Sequence, residues 1–439
     1  MVFSFIKKNP FDFLIIFFLI CSVTSLNNWI ASYFSISLTR IGILSIFLVS
    51  SYLLININII MQLLQNRTMW VFLLFFLIVP IMTLPFSPMS RDLRSISIYL
   101  LNIAHILSFM VIMLKFPLRI TGILALVSLL IAYAGAFLSV WNPSLFDYQF
   151  DANILQSSGA TSAEAGTKLI QGRAFGFLIE PNTLGSNIIC LTLVYVCFYK
   201  TKYAFTKLLF LGISFLAILL TGSRGATLNY MVFLLVLSIY YLKHGIPLTL
   251  KRVSTNFVLL LSLLSVLVGV FFISQIVTSK TTAELNKTNM YYESPTERII
   301  RFMKGDTEDN GSENSRLSLI RHYFHEVISY PIPRGLFAMD YNYYSNKKIG
   351  GSHNEFLRIA YELSILCLLS MLIYFAFFFF GKNRYTLHYS PPFLFLAFCV
   401  IFIGCMLSHT VSVEKHYGLV LAAAITIKIL LQKRPVYIE

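Results

Sequence analysis

Residues 119–140 read RITGILALVSLLIAYAGAFLSV, and the charged residue in this stretch, Arg119, stands at its start. About 20 predominantly apolar residues in an α-helix are long enough to cross the hydrocarbon core of a bilayer. This stretch is therefore predicted to be a membrane span.

Comparable apolar stretches recur along the whole chain of 439 residues, of which 57% are hydrophobic and 12% are charged. The charged share is about half that of an average soluble protein. The sequence therefore predicts an all-α protein, a polytopic transmembrane helical bundle with about twelve spans. The predicted spans are residues 11–25, 41–62, 69–86, 97–115, 119–140, 183–199, 205–222, 225–242, 253–276, 356–381, 391–410 and 416–432.

The basic residues set the orientation, because Lys and Arg concentrate in cytoplasmic loops. With the N-terminus inside, the acidic residues of the inner segments are Asp12 and Glu439 alone. Both termini are therefore predicted to be cytoplasmic, which makes the opposite side periplasmic. The basic residues of the inner segments are Lys7, Lys8, Arg67, Lys115, Arg119, Lys200, Lys202, Lys207, Lys243, Lys251, Arg252, Lys382, Arg384, Lys433 and Arg434.

Two loops on the predicted periplasmic side are long, at residues 141–182 and 277–355. They divide the chain into three parts. Residues 1–276 hold spans one to nine and the smaller loop, and residues 277–355 form the large periplasmic loop. Residues 356–439 hold spans ten to twelve and the cytoplasmic C-terminus.

The large loop is expected to contain short interfacial helices. Ser294-Pro295-Thr296-Glu297 has the Ser-x-x-Glu spacing of a capping box, which begins a helix. Further along, five apolar residues fall on one helical stripe and predict a second helix, lying on the membrane surface. These residues are Leu317, Ile320, Phe324, Val327 and Ile328.

Three segments that precede predicted spans carry polar motifs on the periplasmic side: Arg173–Asn182, Thr221–Gly225 and Gly350–Glu355. Helix N-termini attract anions, because their N–H groups are unpaired and the helix dipole is positive there. An arginine beside lipid, such as Arg224, is costly without an anionic partner. Together with a histidine such as His353, these features suit a pyrophosphate ester that leaves while a hydroxyl attacks.

Simpler explanations exist for each of these residues. Arg224 could extend to the outer headgroups, and Glu180 could pair with Arg173. His353 could be a surface histidine, although a Ser-x-x-Glu spacing from residue 352 to residue 355 would hold it in the first turn of the tenth span. Arg321 lies one turn after Arg316 and could replace it.

Other classes of function have little support in the sequence. The net charge of +15 comes from short loops expected to face the anionic inner leaflet, so a role in nucleic-acid binding is rejected. The six cysteines lie within or beside apolar stretches without CxxC spacing, which indicates neither a disulfide framework nor a thiolate metal site. No cofactor and no metal are expected.

The ordered set of motifs resembles the superfamily of O-antigen polymerases and O-antigen ligases, bacterial envelope enzymes that transfer lipid-linked glycans. In that family, a Thr/Ser-x-Arg-x-x-Leu segment opens a span, a large periplasmic loop contains an Arg-Leu helix, and a His-Asn-Glu-like segment opens the next span. The corresponding residues here are Ser223–Leu228, Ser315–Leu317 and His353–Leu357, followed by Glu362-Leu363. The resemblance covers about residues 170–370, and the first 140 residues match only in hydropathy.

The resemblance implies an enzyme that transfers a glycan from undecaprenyl pyrophosphate to a hydroxyl, at the periplasmic face of the inner membrane. Neither a nucleotide sugar nor a metal is implied. His353, Arg224 and Arg316 are the expected catalytic residues. The expected substrate-binding residues are Arg173, Glu180, Asn182, Ser223, Arg321, Asn354 and Glu355. Expected partners are an undecaprenyl-pyrophosphate-linked oligosaccharide, membrane lipid and, as a further candidate, a chain-length regulator protein.

Two reactions of the superfamily remain open. A polymerase joins repeat units that are both carrier-linked, whereas a ligase moves the finished chain onto lipid A-core. Glu180-Pro181-Asn182, preceded by Arg173 and Gly176, favours the polymerase. A lipid-linked-glycan flippase would predict short loops and internal repeats, which the sequence does not have. A noncatalytic assembly partner would tolerate loss of Arg224 and His353.

The first prediction concerns topology. A reporter fused after Lys433 is expected to lie in the cytoplasm and one inserted near Asp309 in the periplasm, because Lys and Arg concentrate inside. Paired activity reporters, one active only in each compartment, measure this. Both reporters on the same side would contradict the predicted position of the large loop.

Overall fold

A computed structural model describes residues 10–88, 92–146, 173–178, 180–199, 204–244, 316–339, 354–380, 393–407 and 414–433. Within these ranges every regular element is a helix and no strand occurs. The prediction of an all-α protein is therefore confirmed for this part of the chain. The predicted ninth span, the helix start at Ser294 and most of the large loop lie outside the described residues.

Helices α1 to α16 follow one another along the chain, with a π-helical stretch at Leu74–Ile78 and short 3₁₀ turns between some of them. In order, α1 to α16 are Pro10–Val23, Leu26–Tyr33, Leu38–Ile55, Ile57–Leu64, Arg67–Leu73, Val79–Thr83, Leu93–Lys115, Leu118–Trp141, Pro181–Phe198, Ala204–Leu220, Arg224–His244, Arg316–Ser329, Glu355–Leu363, Ile365–Phe380, Phe393–Leu407 and Lys415–Lys433.

Four of the described helical stretches are long and apolar enough to cross a membrane, namely Arg67–Phe86, Ser95–Lys115, Leu118–Trp141 and Pro181–Phe198. The number rises to six if α1 with α2 and α3 with α4 each count as one span, bent by 84° and 74° respectively. Further apolar helices are shorter. These helices support a polytopic membrane protein, and the count of about twelve spans stays a prediction.

The chain divides into two compact units. The first unit consists of Met1–Leu44 and Leu118–Asp306, and the second of Ser45–Pro117 and Thr307–Glu439.

Helix α9 lies at the centre of the first unit, since 83% of its residues are buried inside the protein. Helix α8 packs closely against it at Gly122, where a Cβ would come within 2.5 Å of the Tyr199 amide nitrogen. Buried hydroxyls join α8, α9 and α10. The Ser214 hydroxyl lies 2.6 Å from that of Tyr133 and 2.7 Å from that of Thr192.

In the second unit, α16 packs against α7, α14 and α15. A Cβ at Gly418 of α16 would come within 2.9 Å of the Ile106 side chain of α7. The Tyr417 ring lies where a side chain at Gly404 of α15 would stand. Nζ of Lys428 donates to the Phe378 carbonyl at the end of α14, at 2.9 Å. Small residues therefore allow these helices to approach closely, as in other helix contacts within membranes.

The predicted tenth span, residues 356–381, is wrong as a single helix. It consists of α13 and α14, which are separated at Ser364. Ser364 has a φ of 105°, and its hydroxyl accepts from the amide of Cys367 at 3.2 Å, so that it caps the start of α14. Because Ser364 satisfies an N–H group that α14 leaves unpaired, the break is stable among apolar residues.

Loop helix α12 also has a face that is buried inside the protein. Among the described side chains of α12, those of Leu319, Tyr323 and Val327 are buried, spaced four apart, and the last two pack against α13. Phe324 and Ile328, two residues of the predicted apolar stripe, are 55% and 58% exposed, which is compatible with a helix lying on the membrane surface, and that orientation stays a prediction. The ring of Tyr323 packs against that of Tyr361 in α13, a contact that the periodicity of α12 alone does not reveal.

Close packing of α8 on α9 gives a prediction about stability. Gly122→Ala adds a methyl group against the backbone of α9 and is expected to lower the melting temperature in detergent by several degrees, since overpacking costs about 1–3 kcal/mol. Gly42→Ala is the matched control, because nothing lies within 4 Å of its Cβ position in α3. It should raise the melting temperature slightly, as alanine favours a helix by about 1 kcal/mol. Equal melting temperatures for the two variants would contradict the packing described.

Candidate functional site

Residues Thr221 to Ser223 form the turn that leads into α11 in the first unit. Gly222 has a φ of 59°, which glycine adopts without strain. The Thr221 hydroxyl accepts from the Ser223 amide at 3.1 Å, and the Ser223 hydroxyl accepts from the Ala226 amide at 3.3 Å. Ser223, predicted to bind substrate, is therefore placed as the N-cap of α11.

Arg173 is held against this turn. Its Nε donates to the Thr221 carbonyl oxygen at 2.7 Å, and the amide of the next residue, Ala174, donates to the Leu220 carbonyl oxygen at 2.8 Å. Nη2 of Arg173 lies 3.4 Å from Oδ1 of Asn182, in the first turn of α9. Two segments separated by 48 residues in sequence are thus fixed together in the first unit.

The N-terminal ends of α9 and α11 meet at the same place. A Cβ at Gly185 would come within 2.5 Å of the Ala226 Cβ, so only glycine lets the two helices approach this closely. Glu180 precedes α9, and its Oε2 accepts from the Thr183 hydroxyl at 3.0 Å. The positive dipole ends of two helices therefore lie near Arg173.

Arg224 is the first residue of α11, and its side chain lies outside the described part of the structure. The structure thus brings Arg173, Asn182 and Ser223 together with the backbone that carries Arg224. Guanidinium groups and helix N-termini both favour binding of a bulky anion such as a pyrophosphate.

In the second unit, Asn354 is the N-cap of α13. Its Oδ1 accepts from the Leu357 amide at 3.0 Å, and its Nδ2 lies 3.4 Å from the Met406 carbonyl oxygen of α15. The expectation that residue 352 caps this helix is therefore wrong, because asparagine two residues later takes the position. His353 lies outside the described residues.

Three charged residues of α13 are buried: Glu355, Arg358 and Glu362, each less than 5% exposed. Nε of Arg358 lies 3.3 Å from Oε1 of Glu362, one helical turn later. A charge buried among apolar residues is costly without an opposite charge nearby. Removal of either charge alone is therefore expected to destabilise α13. Glu355, predicted to bind substrate, therefore stands in a buried charged helix and not on an exposed surface.

Helix α12 begins at Arg316, whose side chain lies outside the described part, whereas Arg321 is exposed on the helix. Beyond its end, Nη1 of Arg334 lies 2.6 Å from Oε2 of Glu326. This hydrogen bond lowers the pKa of Glu326 below its usual range. Arg334, just after α12, therefore favours the charged form of the Glu326 carboxyl on that helix.

Sequence reasoning missed Arg334 and Arg358. Arg358 stands four residues before Glu362 in a predicted span, and two opposite charges at this spacing on an otherwise apolar helix are a recognisable signal. Arg334 gave no such signal, because its partner Glu326 precedes it by eight residues and the chain turns between them.

Residues 209–372 match the model of a protein family described as O-antigen ligase. The matched segment includes the turn before α11, the loop helix α12 and all of α13. We call this matched segment the O-antigen ligase domain, after the family to which it is similar. No curated protein and no solved structure matches the chain.

The O-antigen ligase domain confirms the resemblance to the superfamily of O-antigen ligases and polymerases. It supports glycosyltransferase-type chemistry on a lipid-linked glycan by a bacterial membrane protein. Arg173, Glu180 and Asn182 precede the matched residues. A hydrogen bond nevertheless attaches Arg173 to Thr221 inside the O-antigen ligase domain. A residue that precedes the matched segment thus contacts a turn within it.

Proposed function

We propose that the protein is an O-antigen (surface polysaccharide) polymerase, which joins undecaprenyl-pyrophosphate-linked repeat units at the periplasmic face of the inner membrane. The O-antigen ligase domain supports a transferase of lipid-linked glycans. The observation that carries the proposal is the hydrogen bond from Arg173 to the Thr221 carbonyl, because it brings a guanidinium to the start of α11.

Electrostatics at this turn favour a pyrophosphate over a neutral sugar. Two helix N-termini direct N–H groups and positive dipole ends to one place, and Arg173 adds a full positive charge. Gly222 at the turn and Gly185 in α9 keep side chains away from the backbone there. A doubly charged diphosphate can therefore approach closely enough for charge-assisted hydrogen bonds.

A polymerase needs more positive charge than a single pyrophosphate requires. Both of its substrates carry undecaprenyl pyrophosphate, and two diphosphates near each other repel unless cations lie between or beside them. Arg173 and Arg224 are attached to the same turn, which suits such a pair. Arg173 with Asn182 is proposed to bind one diphosphate, and Arg224, helped by Arg316, to hold the donor.

In the proposed reaction, a hydroxyl oxygen of the acceptor sugar forms a bond to the anomeric carbon of the donor glycan. The bond from that carbon to the pyrophosphate oxygen breaks, and undecaprenyl pyrophosphate leaves with the electron pair. Arg224 and Arg316 stabilise the charge on the leaving group. His353 accepts the proton of the attacking hydroxyl. Arg321, Asn354 and Glu355 are proposed to help bind the substrates.

An O-antigen ligase is the second candidate, favoured by the description of the matched family. A ligase breaks the same bond of the same donor but transfers the finished glycan to lipid A-core. The proposed roles of Arg224 and His353 are the same for both reactions, so the acceptor alone separates the two candidates.

Substitution of the proposed catalytic residues tests the enzyme hypothesis. Arg224→Lys is expected to lose most activity, because an ammonium group cannot form the two parallel hydrogen bonds of a guanidinium. His353→Ala is expected to lose activity while the protein still inserts into the membrane. Glycan formed in cells, compared at equal protein level, measures both effects.

Matched controls for these variants are Arg119→Lys and His322→Ala, which exchange the same residue types outside the proposed site. Both should build normal glycan. Normal glycan from Arg224→Lys or from His353→Ala at normal protein level would overturn the proposed site.

Deletion of the protein separates the polymerase from the ligase. Loss of a polymerase should leave single repeat units, which a separate ligase still attaches to lipid A-core. Gel electrophoresis of the lipopolysaccharide would then give core plus one unit, and this is the pattern expected. Bare core together with long glycan on undecaprenyl pyrophosphate would instead establish the ligase.

A further inference from the structure

Glu362, at the C-terminal part of α13, is 3% exposed and makes hydrogen bonds to the loop at two places. Its carbonyl oxygen accepts from the Gly335 amide at 2.9 Å, and its Oε1 accepts from the Met339 amide at 3.3 Å. The same Oε1 lies 3.3 Å from Nε of Arg358. A single buried residue thus joins α13 to the segment that follows α12.

The segment Gly335–Met339 is enclosed where these bonds form. Gly335 has a φ of 95°, and a Cβ there would overlap the backbone of Ser87, so that another residue does not fit. Phe337 is buried with a φ of 68°, and its ring meets that of Tyr99 edge-on, with centroids 6.2 Å apart. A non-glycine residue stays in this conformation only where its surroundings hold it. The segment is therefore fixed within the second unit.

Arg334, directly before this segment, and Tyr361 of α13 attach the loop helix α12 to α13. The guanidinium of Arg334 lies over the Tyr361 ring, 4.3 Å from its centroid, while the same group binds Glu326 near the end of α12. The Tyr361 ring also meets Tyr323 of α12 edge-on at 5.2 Å. Tyr361 directly precedes Glu362, so α12 and the loop segment contact the same turn of α13.

We propose that Glu362 is a positioning residue for the transfer reaction. It fastens the loop to α13 and thereby fixes Arg316, at the start of α12, relative to the segment before α13 that contains His353. The proposal rests on the proposed function, in which Arg316 and His353 act on one substrate. Glu362 acts through these two residues and does not touch the substrate.

The two roles of the Glu362 side chain can be separated chemically. Arg358 balances its charge, and a buried pair of charges can be replaced by neutral side chains as long as both are replaced. The Met339 amide needs an acceptor, which does not have to be charged. A glutamine therefore preserves the bond to the loop, provided that residue 358 is also neutral, whereas a leucine of similar size does not.

Two double variants of the full-length protein test the proposal, Arg358→Met with Glu362→Gln and Arg358→Met with Glu362→Leu. Both remove the charge pair, and the first alone keeps the acceptor. Hydrogen exchange of residues 335–339 and steady-state kinetics with a carrier-linked repeat unit are measured in the same preparation. The leucine variant should exchange about tenfold faster there, the factor for about one buried hydrogen bond. Its kcat should fall about tenfold, and the glutamine variant should restore both the slow exchange and the kcat.

Equal kcat in the two double variants would overturn the proposal, because a buried ion pair alone would then explain Glu362. If the leucine variant does not accumulate, Arg334→Met replaces it, since Arg334 is less buried and holds α12 from the loop side. That variant must also lower kcat, and a normal kcat would contradict the proposal. A wild-type protein that does not use carrier-linked repeats refutes the proposed function instead, while hydrogen exchange still tests the attachment of the loop.

Discussion

A polar group buried in an apolar protein has to find its partner within the protein, because the surroundings supply none. This requirement governs where the helices of this chain break. Nδ2 of Asn187 donates at 2.8 Å to the carbonyl of Val23, at the end of α1 where the first bent pair turns. Nζ of Lys115 donates at 3.3 Å to Oδ1 of Asn56, at the second bend. Each bend thus receives a hydrogen bond from a side chain of another helix.

The same requirement creates the candidate site. A helix that begins within the protein leaves N–H groups without helical partners, and these either receive a capping side chain or remain available to a ligand. Ser223 and Asn354 cap α11 and α13 in this way. The turn before α11 also offers its Thr221 carbonyl to Arg173, so a positive charge is fixed beside the helix start. The unpaired N–H groups at the start of a helix can thus be capped by a side chain or can bind an anion.

The sequence predicted the helices well where a span is continuous, because hydropathy over about 20 residues needs no knowledge of neighbours. It failed at Ser364, where a hydroxyl bond to a residue three positions later allows a break that hydropathy does not detect. For the loop helix, periodicity predicted the helix itself, whereas the packing of Tyr323 on Tyr361 of α13 depends on a contact between distant residues. In the candidate site, Arg173 was predicted by its motif, but its attachment to Thr221 depends on a contact between distant segments that one sequence does not encode. Arg358 was missed, although its spacing of four residues from Glu362 is visible in the sequence.

The contact between Glu362 and the loop has a consequence for biosynthesis. The ribosome makes Gly335 and Met339 before Glu362, so the two amide donors exist before their acceptors do. Formation of α13 then supplies both acceptors, a carbonyl and a carboxylate oxygen of one residue. A chain that stops before residue 362 would lack both acceptors, so the order of synthesis makes the formation of α13 the event that fastens this segment.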